Sequence, residues 1–127
     1  MLVSAVIADG PPRRVVEVIR DGRADLILPE PALVELRRVL IVKLHLDEPA
    51  VDGILALAEE LATAIAPVPA DVPALSGDPA DDRIIAAALT GGAEVLVSGD
   101  SKHVLPLRKV AAMRIIRPQN LLAELAD

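Results

Sequence analysis

The sequence predicts an α/β protein in which helices flank a parallel β-sheet. Apolar segments of strand length alternate along the chain with segments whose leucines, isoleucines and valines recur at helical spacing, as in βαβ units. Residues 94–98 (E-V-L-V-S) form a near-continuous apolar run, which is typical of a strand buried on both faces of such a sheet. The 127 residues are enough for one domain with a single core.

Prolines and glycines mark the boundaries of the predicted elements. Pro11 and Pro12 open a first helix, which closes at Gly22. Leu33 and Leu36 recur at helical spacing in the next one. After the first helix, the predicted order is a strand over 24–28, helices over 31–40 and 48–64, a strand over 65–68, a helix over 82–90, strands over 94–98 and 113–117, and a helix over 118–126.

The composition excludes several classes of function. The chain has no Phe, Tyr or Trp, and therefore no aromatic platform for stacked bases and no cage for a quaternary amine. It has no Cys, which excludes disulfides, Cys-ligated zinc and a thiol nucleophile. With a net charge of -6, any contact with nucleic acid must be local or metal-assisted. No apolar run reaches the roughly 20 residues of a membrane span and the start lacks a basic signal region, so we expect a cytoplasmic protein that does not bind membranes.

Two aspartates are predicted to meet at one edge of the sheet. Asp82 lies in the first turn of the helix over 82–90, and Asp100 follows the strand over 94–98 by two residues. Helix and strand run antiparallel in a βαβ unit, so the start of this helix and the end of this strand share the carboxyl edge, where ligands bind. When two carboxylates lie close together, the free energy of ionising both of them rises. A divalent cation such as Mg²⁺, which binds one or two carboxylates plus waters, removes that cost.

A purely structural interpretation of these acids stays open at this point. Acids at a helix start cap free N–H groups and complement the helix dipole, and S-G-D after a strand is also an ordinary turn. On this view Asp78 is a cap and Asp81 a solvent-facing charge.

The motifs resemble those of a known family. The segment D-P-A-D-D-R-I-I-A-A-A-L, followed by G-G-A-E-V-L-V-S-G-D, is similar to the second half of a PIN domain, the ribonuclease fold of many bacterial toxin–antitoxin toxins. Asp82 and Asp100 match two acids of the family's metal site, and Glu35 in L-P-E-P-A-L-V-E-L-R-R-V-L matches its glutamate. The end, R-I-I-R-P-Q-N-L-L-A-E-L, resembles the family's last strand and helix.

The resemblance implies a metal-dependent endoribonuclease that cleaves single-stranded RNA. Glu35, Asp82 and Asp100 would be the catalytic acids and would hold Mg²⁺ or Mn²⁺. A partner antitoxin would hold the enzyme inactive. The protein could also form a homodimer. The candidates for a supporting role around the metal are Ser4, Asp81, Ser98 and His103, of which His103 is also considered as a general base.

The chain departs from the family's pattern at its start. PIN domains of this kind usually begin with a strand ending in D-T-N-x-L-V-S-A, whose Asp is the first metal ligand, whereas this sequence begins M-L-V-S-A. We therefore expect residues 1–127 to form a single PIN-like domain, truncated at its amino end, which lacks that Asp and the central strand of the sheet. Asp9, beside Gly10, is interpreted as a turn residue and not as a replacement.

Two other functions remain as alternatives. The chain could be a catalytically dead remnant that only binds a protein partner. It could also be a receiver-like signalling domain, since these domains collect acids at the ends of parallel strands. A receiver requires an acid pair after its first strand and a Lys near the end of its last strand, and Lys102 and Lys109 are poorly placed for this, so the receiver is disfavoured.

Overall fold

The computed structural model describes residues 3–7, 13–99 and 101–126. Its strands, in chain order, are β1 (Val3–Ile7), β2 (Ala24–Pro29), β3 (Ala62–Ala66), β4 (Val95–Val97), β5 (Lys109–Val110) and β6 (Met113–Ile116). Its helices are α1 (Arg13–Arg20), α2 (Glu30–Arg38), α3 (Glu48–Leu61), α4 (Pro79–Thr90) and α5 (Pro118–Leu125), with a π-helical turn at Val39–Lys43 and a 3₁₀ turn at Leu105–Leu107. Within these ranges, none of the helices combines the length and the hydropathy of a membrane span.

The strands form one sheet in the order β3-β2-β1-β4-β6-β5. Neighbouring strands pair in parallel from β3 to β6, and the short edge strand β5 pairs antiparallel with β6. The predicted α/β class with a parallel sheet is confirmed. Strand β5, with only two residues, was not predicted, because so short a segment carries no periodic signal.

The prediction that the chain lacks the central strand is wrong. Strand β1 occupies the centre of the sheet, where Ala5 lies opposite Leu26 of β2 and opposite Val95 of β4. Ala5 is fully buried. The segment L-V-S-A-V-I-A is an almost continuous apolar run with three β-branched residues, which suits a strand covered on both faces. The expectation of a missing strand rested on the resemblance of M-L-V-S-A to the end of the family motif D-T-N-x-L-V-S-A.

The boundary between α3 and β3 also differs from the prediction. The helix ends at Leu61 and the strand begins at Ala62, so the predicted helix ran three residues too far and the predicted strand began three residues late. Pairing with β2 decides the boundary, since Ala64 lies opposite Ile27 in the parallel ladder. The β-branched residues Thr63 and Ile65 favour the same outcome.

Apolar side chains cover both faces of the sheet. Leu96 of β4 packs on one face with Ile85 of α4. Val95 and Val97 point to the opposite face, in a cluster with Leu121 of α5. This alternation is what the period of two residues in a strand requires, and it confirms that β4 is buried on both sides.

Gly91 allows the end of α4 to lie close to the sheet. A Cβ atom at this position would lie 2.8 Å from Cγ2 of Ile27 and 3.0 Å from Cβ of Ala66, which is closer than packed carbon atoms tolerate. The absence of a side chain therefore allows α4 to pack closely against β2 and β3.

Candidate metal centre

Helix α4 begins with a capped turn. Asp78 is the N-cap residue, and its Oδ1 accepts a hydrogen bond from the backbone N–H of Ala80 at 2.9 Å. Pro79 occupies the first helical position, where its missing N–H has no cost. The interpretation of Asp78 as a cap is confirmed, and the cap places Asp81 and Asp82 in the first turn.

Asp82 holds the preceding loop against the helix. Its carboxylate is buried, and its Oδ1 accepts hydrogen bonds from Leu75 N at 3.1 Å, Ser76 N at 2.8 Å and Ser76 Oγ at 2.7 Å. The Ser76 hydroxyl also lies 3.0 Å from the carbonyl oxygen of Asp78, but it carries one proton, and the charged acceptor is the stronger of the two. One carboxylate oxygen thus serves three donors.

The hydrogen bonds keep Asp82 ionised. The Ser76 hydroxyl bond lowers the pKa of Asp82, burial raises it, and the N–H groups of Ser76 and Leu75 lower it further, with a net fall below 3.8. With Oδ1 engaged by three donors, Oδ2 is the oxygen of Asp82 that could reach a cation. The prediction that Asp82 is a metal ligand stays a prediction, now restricted to that atom.

Three other side chains converge beside this turn. Asp78 and Asp81, from the start of α4, and His103, from the segment after β4, each offer one ligand atom, and the three atoms lie within 4.8 Å of one another. All three residues are half-buried. Ligands in adjacent positions around one octahedral ion of about 2.1 Å bond length lie roughly 3 Å apart, so small side-chain rotations would bring the three atoms to a common ion.

The donor set of this cluster fits a divalent cation. Carboxylate oxygens are the usual ligands of Mg²⁺ and Mn²⁺, and imidazole nitrogen suits first-row transition cations. In the part of the chain that the structure describes, one group of three such ligands lies close enough together to hold a metal ion, and it consists of Asp78, Asp81 and His103. Neither Glu35 nor Asp82 belongs to this group. His103, from the segment after β4, therefore lies near the start of α4, while the predicted meeting of Asp82 with Asp100 stays a prediction.

Asp100 lies outside the described residues, as does Asp9. The prediction that Asp100 contributes to the metal site therefore stays a prediction. Ser98 directly follows β4, is buried, and donates its backbone N–H to Ile116 O at 3.0 Å. Ser4 is the second residue of β1, level with Asp25 of β2, and its side chain is outside the described part of the chain.

Glu35 forms an ion pair within its own helix. Arg38 donates from Nε to Oε2 at 3.1 Å and from Nη2 to Oε1 at 2.5 Å, and this hydrogen bonding lowers the pKa of Glu35. Both side chains are about half exposed. Helix α2 contacts α4, so Glu35 lies on a neighbour of the cluster's helix, but its carboxylate is engaged by Arg38.

Two parts of this site were not predicted from the sequence. Ser76 was not considered, although a Ser–Gly–Asp segment before a helix is typical of side-chain hydrogen bonding in turns. Asp78 was interpreted as a cap alone, although a capping carboxylate keeps a second oxygen available.

One comparison with known proteins found a related family. A family model described as "PIN domain" matches residues 1–102, which include Asp78, Asp81 and Asp82 and end one residue before His103. The comparison with curated proteins gave no match. PIN domains are nucleases that act on nucleic acids and typically depend on divalent metal ions. The chain belongs to the PIN-domain family, and a nuclease-type function follows from that membership.

Proposed function

We propose that the protein is a metal-dependent endoribonuclease that cleaves single-stranded RNA. The observation that carries the proposal is the convergence of Asp78, Asp81 and His103 within 4.8 Å, beside the buried Asp82, at the carboxyl edge of the sheet. Ligands gather at this edge in open parallel sheets, and the chain belongs to a nuclease family.

Each residue of the site has a distinct proposed role. Asp78 and Asp81 hold the cation, together with Oδ2 of Asp82 and the carboxylates of Asp100 and Glu35. Asp82 also keeps the turn in place through its bonds to the 75–76 loop. A bound divalent cation would lower the pKa of a water molecule and neutralise charge on the scissile phosphate. The cation would also give a protein of net charge -6 a local positive field for RNA.

The pair of Glu35 and Arg38 could supply two functional groups at once. Because both side chains are about half exposed, solvent screens their attraction and little energy holds them together. If Glu35 turns towards the site, the Arg38 guanidinium is released, and its planar fork suits two oxygens of an RNA phosphate.

We further propose that the protein is the toxin of a toxin–antitoxin pair, acts in the cytoplasm, and is held inactive by a protein antitoxin. Exposed apolar side chains on three elements that contact one another support a protein partner, because apolar areas on protein surfaces commonly bind other proteins. Val34 of α2 is 71% exposed and Leu57 of α3 is 60% exposed. The π-helical turn between these helices adds Val42 and, at its end, Leu44.

The same side chains favour a second candidate, a binding module or homodimer without catalysis. Light scattering of the parent and of a Val34→Glu, Leu57→Glu double variant tests the dimer. A parent dimer that becomes a monomer in the variant supports self-association through this surface, whereas an unchanged mass excludes it.

The nuclease proposal is tested with unstructured RNA. The protein should cleave linear and circular single-stranded RNA when Mn²⁺ or Mg²⁺ is present, and should cleave DNA of the same sequence much more slowly. Cleavage of the circle distinguishes an endonuclease from an exonuclease. Cleavage that continues in excess EDTA, or no cleavage of RNA with either metal, contradicts the proposal.

A further inference from the structure

The donor set of the cluster contains a nitrogen as well as oxygens. Asp78 and Asp81 alone would suit Mg²⁺, which binds through one or two carboxylates and keeps several waters. His103 changes this preference, because imidazole binds first-row transition cations far better than Mg²⁺. The ligand atoms of all three residues lie within 4.8 Å of one another.

The backbone around His103 is well placed to hold the ring at the site. Val104, the next residue, is 2% exposed and belongs to the core cluster on the α4 face of the sheet. Its carbonyl oxygen accepts a hydrogen bond from Leu107 N at 3.1 Å, which closes the 3₁₀ turn. His103 is therefore tied to the core at its own chain neighbour, and its half-buried ring loses less conformational freedom on binding than an exposed side chain would.

We propose that His103 is a direct ligand and makes this site selective for first-row transition cations over Mg²⁺. The inference rests on the proposed function only in that both use the same site. Affinity should rise from Mg²⁺ to Mn²⁺ to Co²⁺, because the order of transition-cation affinities for nitrogen-containing sites runs from Mn²⁺ to Co²⁺. Asp78 and Asp81 supply the charge, and His103 supplies the discrimination.

The chain offers a matched control, since it contains two histidines. His45 is exposed, lies between the π-helical turn and α3, and is not part of the cluster. Calorimetry with Mg²⁺, Mn²⁺ and Co²⁺ should be carried out on the parent, His103→Gln and His45→Gln, each checked for parent-like circular dichroism. Pulsed electron paramagnetic resonance of the Mn²⁺ complexes reports directly on a bound nitrogen.

The expected result is nitrogen coupling to Mn²⁺ in the parent and in His45→Gln, and none in His103→Gln. Since even the outer-shell partners of metal ligands change affinity about 10–100-fold, His103→Gln should weaken Co²⁺ and Mn²⁺ binding more than about tenfold, and Mg²⁺ binding much less. The parent spectrum is informative even if His103→Gln fails to fold.

Three results overturn the inference: no nitrogen coupling in the parent, coupling that persists in His103→Gln, or an equal loss of Mg²⁺ and Mn²⁺ affinity in that variant. The RNA assay separates this failure from failure of the proposed function. Metal-dependent cleavage without nitrogen coupling rejects only the role of His103. Nitrogen coupling without cleavage rejects only the nuclease.

Discussion

Replacing Asp82 with Ala should destabilise the protein even when no metal is present. In the parent, Oδ1 of this buried carboxylate accepts from Leu75 N, Ser76 N and Ser76 Oγ at 2.7–3.1 Å. Asp82→Ala removes the acceptor and leaves all three donors. The same loop leads into the Asp78 cap, so its release also loosens the start of α4.

The magnitude follows from the three donors. A buried donor that loses its acceptor costs about 1–3 kcal/mol. The Ser76 hydroxyl can turn to the carbonyl oxygen of Asp78, 3.0 Å away, and Leu75 is 42% exposed, so water reaches part of this loop. These two facts place the total at roughly 2–4 kcal/mol, which is a large share of the ~5–15 kcal/mol that stabilises a typical domain.

Urea unfolding at pH 7 with EDTA measures the effect. Circular dichroism is the suitable probe, because the chain has no Trp or Tyr for fluorescence. Asp71→Ala is the matched control, because Asp71 is exposed and lies in the same long loop. This substitution should change the free energy of unfolding by no more than about 0.5 kcal/mol. Asp82→Asn keeps an oxygen acceptor but loses the charge. Its free energy of unfolding should therefore lie between those of Asp82→Ala and Asp71→Ala. If Asp82→Ala is no less stable than Asp71→Ala, the anchoring role of Asp82 is refuted.

Three further outcomes are expected. Because the pKa of Asp82 is lower in the folded protein than the unfolded value of 3.8, its ionised form stabilises the fold above that pH. The stability advantage of the parent over Asp82→Asn in urea should therefore be full at pH 7 and shrink as the pH falls below 3.8. Gly91→Ala forces a methyl group against Ile27 and should lower the free energy of unfolding by about 1–3 kcal/mol. Gly53 lies inside α3 with open space around it, so Gly53→Ala should raise the free energy of unfolding by about 0.5–1 kcal/mol. Glu35→Gln breaks only an exposed ion pair and should leave the melting temperature near the parent value. The rate of RNA cleavage should nevertheless fall by orders of magnitude. An unchanged cleavage rate would show that Glu35 is not part of the site.

The fold was largely predictable because its strands and helices have strong patterns. The apolar run of β4 and the helical spacing in α2 depend on local sequence, and both were recognised. The central strand was predicted to be missing because M-L-V-S-A resembles the end of a family motif, although the near-continuous apolar run that it opens is itself typical of a buried strand. Its β-branched residues Val3, Val6 and Ile7 favour a strand.

The site was less predictable than the fold. The position of Asp82 in the first turn of α4 followed from the helix-start signal. Its hydrogen bonds to Leu75 and Ser76 did not, because the loop before α4 has no periodicity and its path depends on tertiary contacts. The approach of His103 to Asp78 depends in the same way on how the chain turns after β4, which spacing alone does not fix.

The central claim is that the turn at the start of α4 forms a metal centre together with His103, and calorimetric titration with Mn²⁺ tests it most directly. The parent and Asp71→Asn should bind Mn²⁺ alike, and Asp81→Asn should bind it more than about tenfold more weakly, since it loses a charged ligand. A parent that binds no Mn²⁺, or an Asp81→Asn variant that binds it as tightly as Asp71→Asn does, would contradict the account.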